Sequence, residues 1–213
     1  LEQSGYECYI VGGSVRDFCM QVPPHDFDIT TSAYPDEVHA VFSGERMIDT
    51  GIKHGTVTLL LGGMPLEITT YRVDGDYTDG RRPDSVEFTK NITEDLARRD
   101  FTVNAMAMDK DMNIVDLFGG MADLKSGIIR AVGDPQKRFT EDALRIMRAF
   151  RFSAKLGFSI EESTLKSAIA LSENLKYVSA ERVFAELKKT LMSDNPQNIS
   201  PLINCGGLTP FGI

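Results

Sequence analysis

Two aspartates spaced two residues apart, Asp26 and Asp28, are the first residues here whose types and spacing suggest chemistry. In an extended strand such residues share a face, roughly 7 Å apart at about 3.3 Å per residue. Two carboxylates so placed can share a hard divalent cation such as Mg²⁺, which takes oxygen ligands and completes its shell with waters and substrate phosphates. The plainer reading is an ordinary polar strand face, and Asp-x-Asp alone does not choose. Three neighbours bear on the choice. Gly12-Gly13 separates a short apolar run from an expected helix, and such a turn exposes backbone N–H groups where anions bind. Arg16 falls on the first turn of that helix and can reach the same anion, unless the turn is only a tight one and Arg16 pairs with Asp17. Glu67 falls in the second strand of an expected hairpin. A hairpin beside strand 26–31 brings this third carboxylate near the aspartates; otherwise Glu67 is a solvated strand position.

Two further groups can carry charge chemistry. Arg98-Arg99-Asp100, with Asn104 close behind, reads in isolation as a solvated cluster. Asp142, Arg145, Arg148 and Arg151 recur every three residues on an expected helix over 139–156, so successive members share a face. A Glu141–Arg145 pair there is worth only ~0.3–0.5 kcal/mol. Three arginines on one stripe repel one another, two acids offset only part of that, and a bound polyanion relieves it. His25, His39 and His54 are too few and dispersed for a metal cluster. Thr102 and Thr140 read as helix caps or as nothing. Met106 and Met108 read as core.

These side chains need elements to position them. Residues 7–11 are short and apolar. Residues 14–21 suggest a helix that Ser14 could cap, ended by Pro23-Pro24. Residues 26–31 read as a strand by β-branched content, and a helix from Pro35 to about 42 follows. TVTLLLGG and PLEITTYR, split around Gly62-Gly63, read as an antiparallel hairpin. Residues 72–91 are polar and irregular. From about 134 the pattern turns helical: Ala143, Ile146, Met147, Phe150 and Ala154 follow the i, i+3, i+4 spacing of a buried face, with more helices at 161–174 and 179–193. The expectation is an α+β head over 1–133 and an all-α second domain over 134–213 whose end is missing.

Composition bounds the class. The chain has 213 residues, 42% hydrophobic and 25% charged, enough apolar material for a core. No apolar run is long enough to span a membrane, and no signal peptide is visible. Leu1 suggests a cut N-terminus. Three scattered cysteines fit neither a disulfide framework nor a zinc site, so a reducing, cytoplasmic compartment is expected. The net charge of −8 argues against a surface that grips nucleic acid everywhere. It hides an asymmetry, because residues 1–50 hold two basic side chains against nine acidic ones, whereas 137–155 hold six basic against two acidic. One acidic half and one basic helix suit a site holding a cation on one side and phosphates on the other, or the surface charge is merely uneven.

Six blocks, in order, resemble one family. Val11-Gly-Gly-Ser-Val-Arg-Asp17 followed by Asp26-Phe-Asp28 resembles the head of the class II tRNA nucleotidyltransferases (CCA-adding enzymes) and bacterial poly(A) polymerases, which are polymerase-β-like nucleotidyltransferases. Glu67-Ile-Thr-Thr-Tyr-Arg72 resembles that family's third-carboxylate strand, and Arg98-Arg-Asp-Phe-Thr-Val-Asn104 its ribose-reading motif. Arg138-Phe-Thr-Glu-Asp-Ala-Leu-Arg145 resembles its base-reading motif, and Ser179-Ala-Glu-Arg-Val-Phe-Ala-Glu-Leu187 the following neck helix.

The resemblance implies a polymerase-β-like head, a small mixed sheet with helices, followed by a helical neck. It implies Mg²⁺ held by Asp26 and Asp28, with Glu67 as third catalytic carboxylate. Gly12, Gly13 and Arg16 would contact the triphosphate, Asp100 the ribose 2′-hydroxyl, and Arg99 and Asn104 the sugar and phosphates. Asp142 and Arg145 would read the base edge, with Arg148 and Arg151 near the nucleotide. The implied activity is template-independent nucleotide addition at an RNA 3′ end, foremost CCA or terminal-A addition to the tRNA 3′ end from CTP and ATP. The alternatives are a bacterial poly(A) polymerase and a non-catalytic nucleotide- or RNA-binding module of the same fold. The segment Asp74–Pro83 resembles the flexible loop of enzymes that add the terminal A. No membrane partner is implied, and oligomeric state is left open.

Overall fold

The computed structural model describes residues 1–24, 26–75 and 86–213. His25 and most of the loop-like segment 74–83 therefore lie outside the described residues. The chain forms two compact units, one built from residues up to Gly75, 86–99 and Val103–Gly120, the other from Asp100–Thr102 and Met121–Ile213.

The first unit is a sheet with helices. In chain order it runs β1 (Cys8–Val11), α1 (Gly13–Cys19), β2 (Asp28–Thr31), α2 (Pro35–Val41), β3 (Arg46–Ile48), β4 (Thr56–Leu61), β5 (Met64–Thr70), β6 (Arg72–Asp74), β7 (Val86–Phe88), α3 (Ile92–Ala97), β8 (Met106–Met108) and β9 (Ile114–Asp116). Seven strands form the main sheet in the order β3-β4-β5-β2-β1-β8-β9. All its pairings are antiparallel except β2 with β5. The expected hairpin is β4–β5, turned by Gly62 and Gly63 at φ 58° and 84°. Positive φ at both central residues is what a two-residue hairpin turn demands and what glycine supplies. Ala33, Val38, Val57, Leu59 and Ile68 close into one core cluster, and Val11, Leu96 and Ala107 into another. Met106 and Met108 are buried, as read from the sequence.

Three local expectations change. Ser14 does not cap α1; it lies inside the first turn, and its hydroxyl donates to the Val11 carbonyl at 3.0 Å. The strand starts at Asp28, so Asp26 precedes it. The stretch 72–91, expected to be irregular, contains β6 and β7, paired antiparallel as Arg72↔Phe88 and Asp74↔Val86.

The second unit is mainly helical: α4 (Gly120–Ser126) leads into it, then come α5 (Pro135–Glu141), α6 (Leu144–Leu156), α7 (Glu162–Ala170), α8 (Ala180–Leu191) and α9 (Ser200–Asn204). A short parallel pair, β10 (Ile128–Ile129) with β11 (Ser159–Ile160), accompanies them. The five apolar residues read as a buried face, Ala143, Ile146, Met147, Phe150 and Ala154, are all buried. The expected single helix over 139–156 is two. Asp142 takes extended backbone angles, φ −139° and ψ 104°, and breaks it. Among the described residues no helix is long and apolar enough to cross a membrane.

Candidate active site

Asp28 opens β2 with Val11 of β1 on one side and Glu67 of β5 on the other. The parallel β2–β5 pairing sets Glu67 directly across from Asp28, as the sequence suggested. Asp26 stands exposed on the approach to the strand. The environment pushes the Asp28 carboxyl above its usual range, first through the protein atoms crowded round it and then through Asp26 and Glu67; the Arg99 guanidinium pulls the other way. Crowding like charges while desolvating one of them disfavours ionisation, and a cation bound there would reverse that. Among the described residues no three His, Cys, Asp or Glu side chains converge into a ready-made metal cage.

The Gly12 turn faces these carboxylates. Gly12 has φ 75° and ψ −134°, a conformation side chains avoid. A Cβ added there would stand 3.3 Å from Arg99 Nη1 and 3.9 Å from Asp28 Oδ2. The Gly12 N–H donates to the Met106 carbonyl at 3.3 Å and so is spent on the sheet. Arg16 is buried, donating to Asp17 at 2.6 Å and to Asn104 Oδ1 at 2.7 Å. The Arg16–Asp17 pair weighed from the sequence is present, and the structure adds Asn104 to it. Gly12, Gly13, Arg16, Asp26, Asp28, Glu67, Arg99 and Asn104 thus all belong to the first unit.

Arg98 and Arg99 are not a loose solvated cluster. Both pair with Asp95, at 2.7 and 3.2 Å, and Asp95 has no exposed surface. Sequence reading missed Asp95. The signal was there in its i, i+3 and i, i+4 spacing to two arginines, but that pattern is common on helix surfaces.

Asp100, Asp142, Arg145, Arg148 and Arg151 belong to the second unit. Asp100 Oδ1 accepts the Phe101 N–H at 2.8 Å, and Oδ2 accepts Arg148 Nε at 2.7 Å. Asp142 does not share a continuous helix with Arg145. Its Oδ1 accepts the Leu144 N–H at 3.0 Å, satisfying a donor at the start of α6, and its Oδ2 accepts from Arg182 at 3.1 Å. Arg145 donates to Glu141 at 2.5 Å, the i, i+4 pair read from the sequence, and to the Arg138 carbonyl at 3.1 Å. Arg151 pairs with Glu186 at 2.6 Å and lies over the Phe152 ring at 4.1 Å from its centroid. The three arginines are therefore not left to repel one another unopposed. Each has a carboxylate, and Asp100 and Glu186 come from elements outside the helix that sequence spacing could not reveal.

Comparison with known proteins decides the family. The pattern of the "Poly A polymerase head domain" matches residues 8–130. The chain belongs to that family. A second pattern, "Probable RNA and SrmB- binding site of polymerase A", matches residues 157–210 of this head-domain protein. The CCA-adding enzyme of Leuconostoc mesenteroides is 55% identical over 192 residues, 90% of this chain and 47% of that enzyme. The CCA-adding enzyme of Lactobacillus helveticus is 57% identical over 189 residues, 89% of this chain and 47% of that enzyme. The crystal structure of the Bacillus stearothermophilus CCA-adding enzyme in complex with CTP superposes with a TM-score of 0.87 at 42% identity, covering 96% of this chain and 49% of that one. A CCA-adding enzyme with ATP gives a TM-score of 0.78 at 31% identity, over 98% of this chain and 49% of that one. The α+β head and helical neck are thus those of this family, and the chain spans about half the length of the curated relatives it matches.

Proposed function

We propose that the protein adds nucleotides to an RNA 3′ end without a nucleic-acid template, and that the reaction is addition of CCA, or of the terminal A, to tRNA from CTP and ATP. The observation that carries this is the register setting Asp28 between the Gly12 turn and Glu67, with Asp26 alongside. The names and bound nucleotides of the relatives supply the substrate class. In the reaction the 3′-hydroxyl oxygen attacks the α-phosphorus. A new P–O bond forms, the bond to the bridging oxygen breaks, pyrophosphate leaves and the hydroxyl proton is lost.

The Asp26 and Asp28 pair suits a hard divalent cation. Its donors are all oxygens, both side chains are exposed, and Asp28 is raised above its usual range first by desolvation and then by Asp26 and Glu67, charges that a cation would neutralise. With no three-residue cage among the described residues, part of the coordination shell would come from phosphates and water. Mg²⁺ held there would supply activation of the hydroxyl and neutralisation of the triphosphate. Glu67 is the third carboxylate of the set. Gly12, Gly13 and Arg16 hold the triphosphate, and Arg99 and Asn104 the sugar and phosphates. Asp100, whose carboxylate can only accept and is held by Phe101 and Arg148, accepts the ribose 2′-hydroxyl.

Base choice follows from hydrogen-bond polarity. Cytosine and adenine each present an amine donor beside a ring-nitrogen acceptor, whereas guanine and uracil present a carbonyl acceptor beside an N–H donor. Ionised Asp142 can only accept and Arg145 can only donate, so the pair matches C and A and opposes G and U. Their bonds to Arg182 and Glu141 orient them. Arg148 and Arg151 lie near the nucleotide in this reading.

The descriptions of the two family patterns favour a second reading, poly(A) addition. A non-catalytic binding module is disfavoured, because Asp26, Asp28, Asp100, Asp142 and Arg145 are all retained. Three free cysteines fit a reducing, cytoplasmic setting. The test is incorporation of labelled CTP and ATP, with Mg²⁺, into tRNA lacking its 3′ end by the full-length protein; complete inactivity would leave the binding-module reading.

A further inference from the structure

Asp95 carries no role in the chemistry above, yet it is fully buried in the first unit. Two of the residues that bond it, Thr30 and Arg99, are tied to the carboxylate face. Its Oδ1 accepts from Arg98 Nε and Nη2 at 3.0 and 2.7 Å and from the Arg72 backbone N–H at 3.4 Å. Its Oδ2 accepts from Arg99 Nη2 at 3.2 Å and from the Thr30 hydroxyl at 3.3 Å. Thr30 is two residues along β2 from Asp28 and so shares its face. Burial raises the Asp95 pKa, but Arg98 and Arg99 outweigh it and hold the carboxyl below its usual range.

The other end of Arg99 faces Asp28. Arg99 Nη1 and Asp28 Oδ2 flank the same small space over Gly12, 3.3 and 3.9 Å from a Cβ built there. One guanidinium thus lies between two carboxylates, one sealed in the core and one in the site. Arginine and carboxylate pair readily in a two-bond fork. Such a fork on Asp28 would occupy the oxygens that a cation needs. A buried carboxylate attracts more strongly than a solvated one at the same distance, so Asp95 pulls the guanidinium against the attraction of Asp28.

We propose that Asp95 is a positioning residue that holds Arg99 off Asp28 and so keeps the Asp28 carboxylate open to a divalent cation; this rests on the nucleotidyl-transfer reading above. The rival view is that Asp95 only knits α3 to β2 and to the start of β6.

A double-mutant cycle separates the two views. Mn²⁺ binding to the full-length protein, without nucleotide, is followed by the electron paramagnetic resonance of the free ion in wild type, Asp95→Asn, Arg99→Gln and the double variant. The expected result is about fivefold weaker Mn²⁺ binding in Asp95→Asn, the scale of one partly exposed ion pair. In the Arg99→Gln background the same change should have under about a twofold effect, because no guanidinium remains to capture Asp28. Equal losses in both backgrounds, or no loss, overturn the proposal. If Asp95→Asn does not fold, as judged by its melting curve, Asp95→Glu keeps the charge, displaces it by one methylene and is read in the same cycle. An Asp28→Asn control distinguishes the two levels of failure. If it abolishes Mn²⁺ binding while the cycle is additive, only the role of Asp95 falls. If wild type binds no Mn²⁺, or Asp28→Asn changes nothing, the metal reading of the site falls and Asp95 falls with it.

Discussion

Replacing Asp142 should divide into a small stability effect and a large selectivity effect, and the structure sizes both. Its Oδ1 accepts the Leu144 N–H at the start of α6, a cap whose loss costs about 1 kcal/mol. Its Oδ2 pairs with Arg182 at 3.1 Å, with side chains 16% and 27% exposed, a partly solvated pair worth about 0.2–1 kcal/mol. Asp142→Ala should therefore cost about 1–2 kcal/mol, or about 2–8 °C in melting temperature for a chain of this size. Asp142→Asn keeps an acceptor for Leu144 and gives up only the charge, so its loss should stay within about 1 kcal/mol. Selectivity behaves differently. An aspartate that only accepts is mismatched against a base carbonyl, and a buried mismatch costs about 1–3 kcal/mol. The preference for CTP over UTP should thus fall about 5- to 150-fold in Asp142→Ala, and fall also in Asp142→Asn, whose amide can donate to the uracil carbonyl. The assay is incorporation of each of the four nucleotides into tRNA lacking its 3′ end, beside melting curves for both variants. An unchanged CTP-to-UTP ratio together with a lowered melting temperature would make Asp142 a helix cap and nothing more, and would refute the base-reading argument.

Asp28→Asn should abolish transfer yet slightly raise the melting temperature at pH 7. The folded-state pKa of Asp28 is raised, so its ionised form costs stability as pH climbs through that pKa; the gain from Asn should shrink as pH falls and be lost below the usual aspartate range. Glu161 is the opposite case. Desolvation opposes its charge, but hydrogen bonds from Ser163 and Thr164 outweigh it and hold its pKa at about 2. Its stabilisation should be full above the usual glutamate range and be lost as pH falls towards 2, and Glu161→Ala should flatten that acid limb in melts taken between pH 2 and 6. Gly12→Ala should lose about 1–3 kcal/mol, because φ is 75° and the new Cβ would crowd Arg99 Nη1 at 3.3 Å; urea unfolding measures it, and a loss under a few tenths would contradict the strain argument.

Much of the carboxylate face was legible because it depends on local signals. Gly62-Gly63 fixed the hairpin, the β-branched run Ile29-Thr30-Thr31 marked β2, and their neighbouring placement carried Glu67 to Asp28. The buried stripe of α6 was legible from its period. The break at Asp142 was not, because no proline or glycine marks it. An aspartate side chain that bonds the backbone two residues on competes with the helix, and it leaves no apolar-period signature. The partners of the charged residues were equally hidden. Asp95, Arg182 and Glu186 act through ion pairs, and two of those three bridge elements about 35 to 40 residues apart in the chain. Spacing rules cannot reach so far.

This chain is proposed to carry the nucleotidyl-transfer and base-selecting parts of a CCA-adding enzyme. Sequencing the products of the full-length protein tests it most directly, using tRNAs that end before the first C, after each C and complete, with all four nucleotides present. The account predicts that each shortened tRNA is restored to CCA and that growth then stops, with little U or G incorporated. Long A tails on every substrate, or equal use of the four nucleotides, would contradict it.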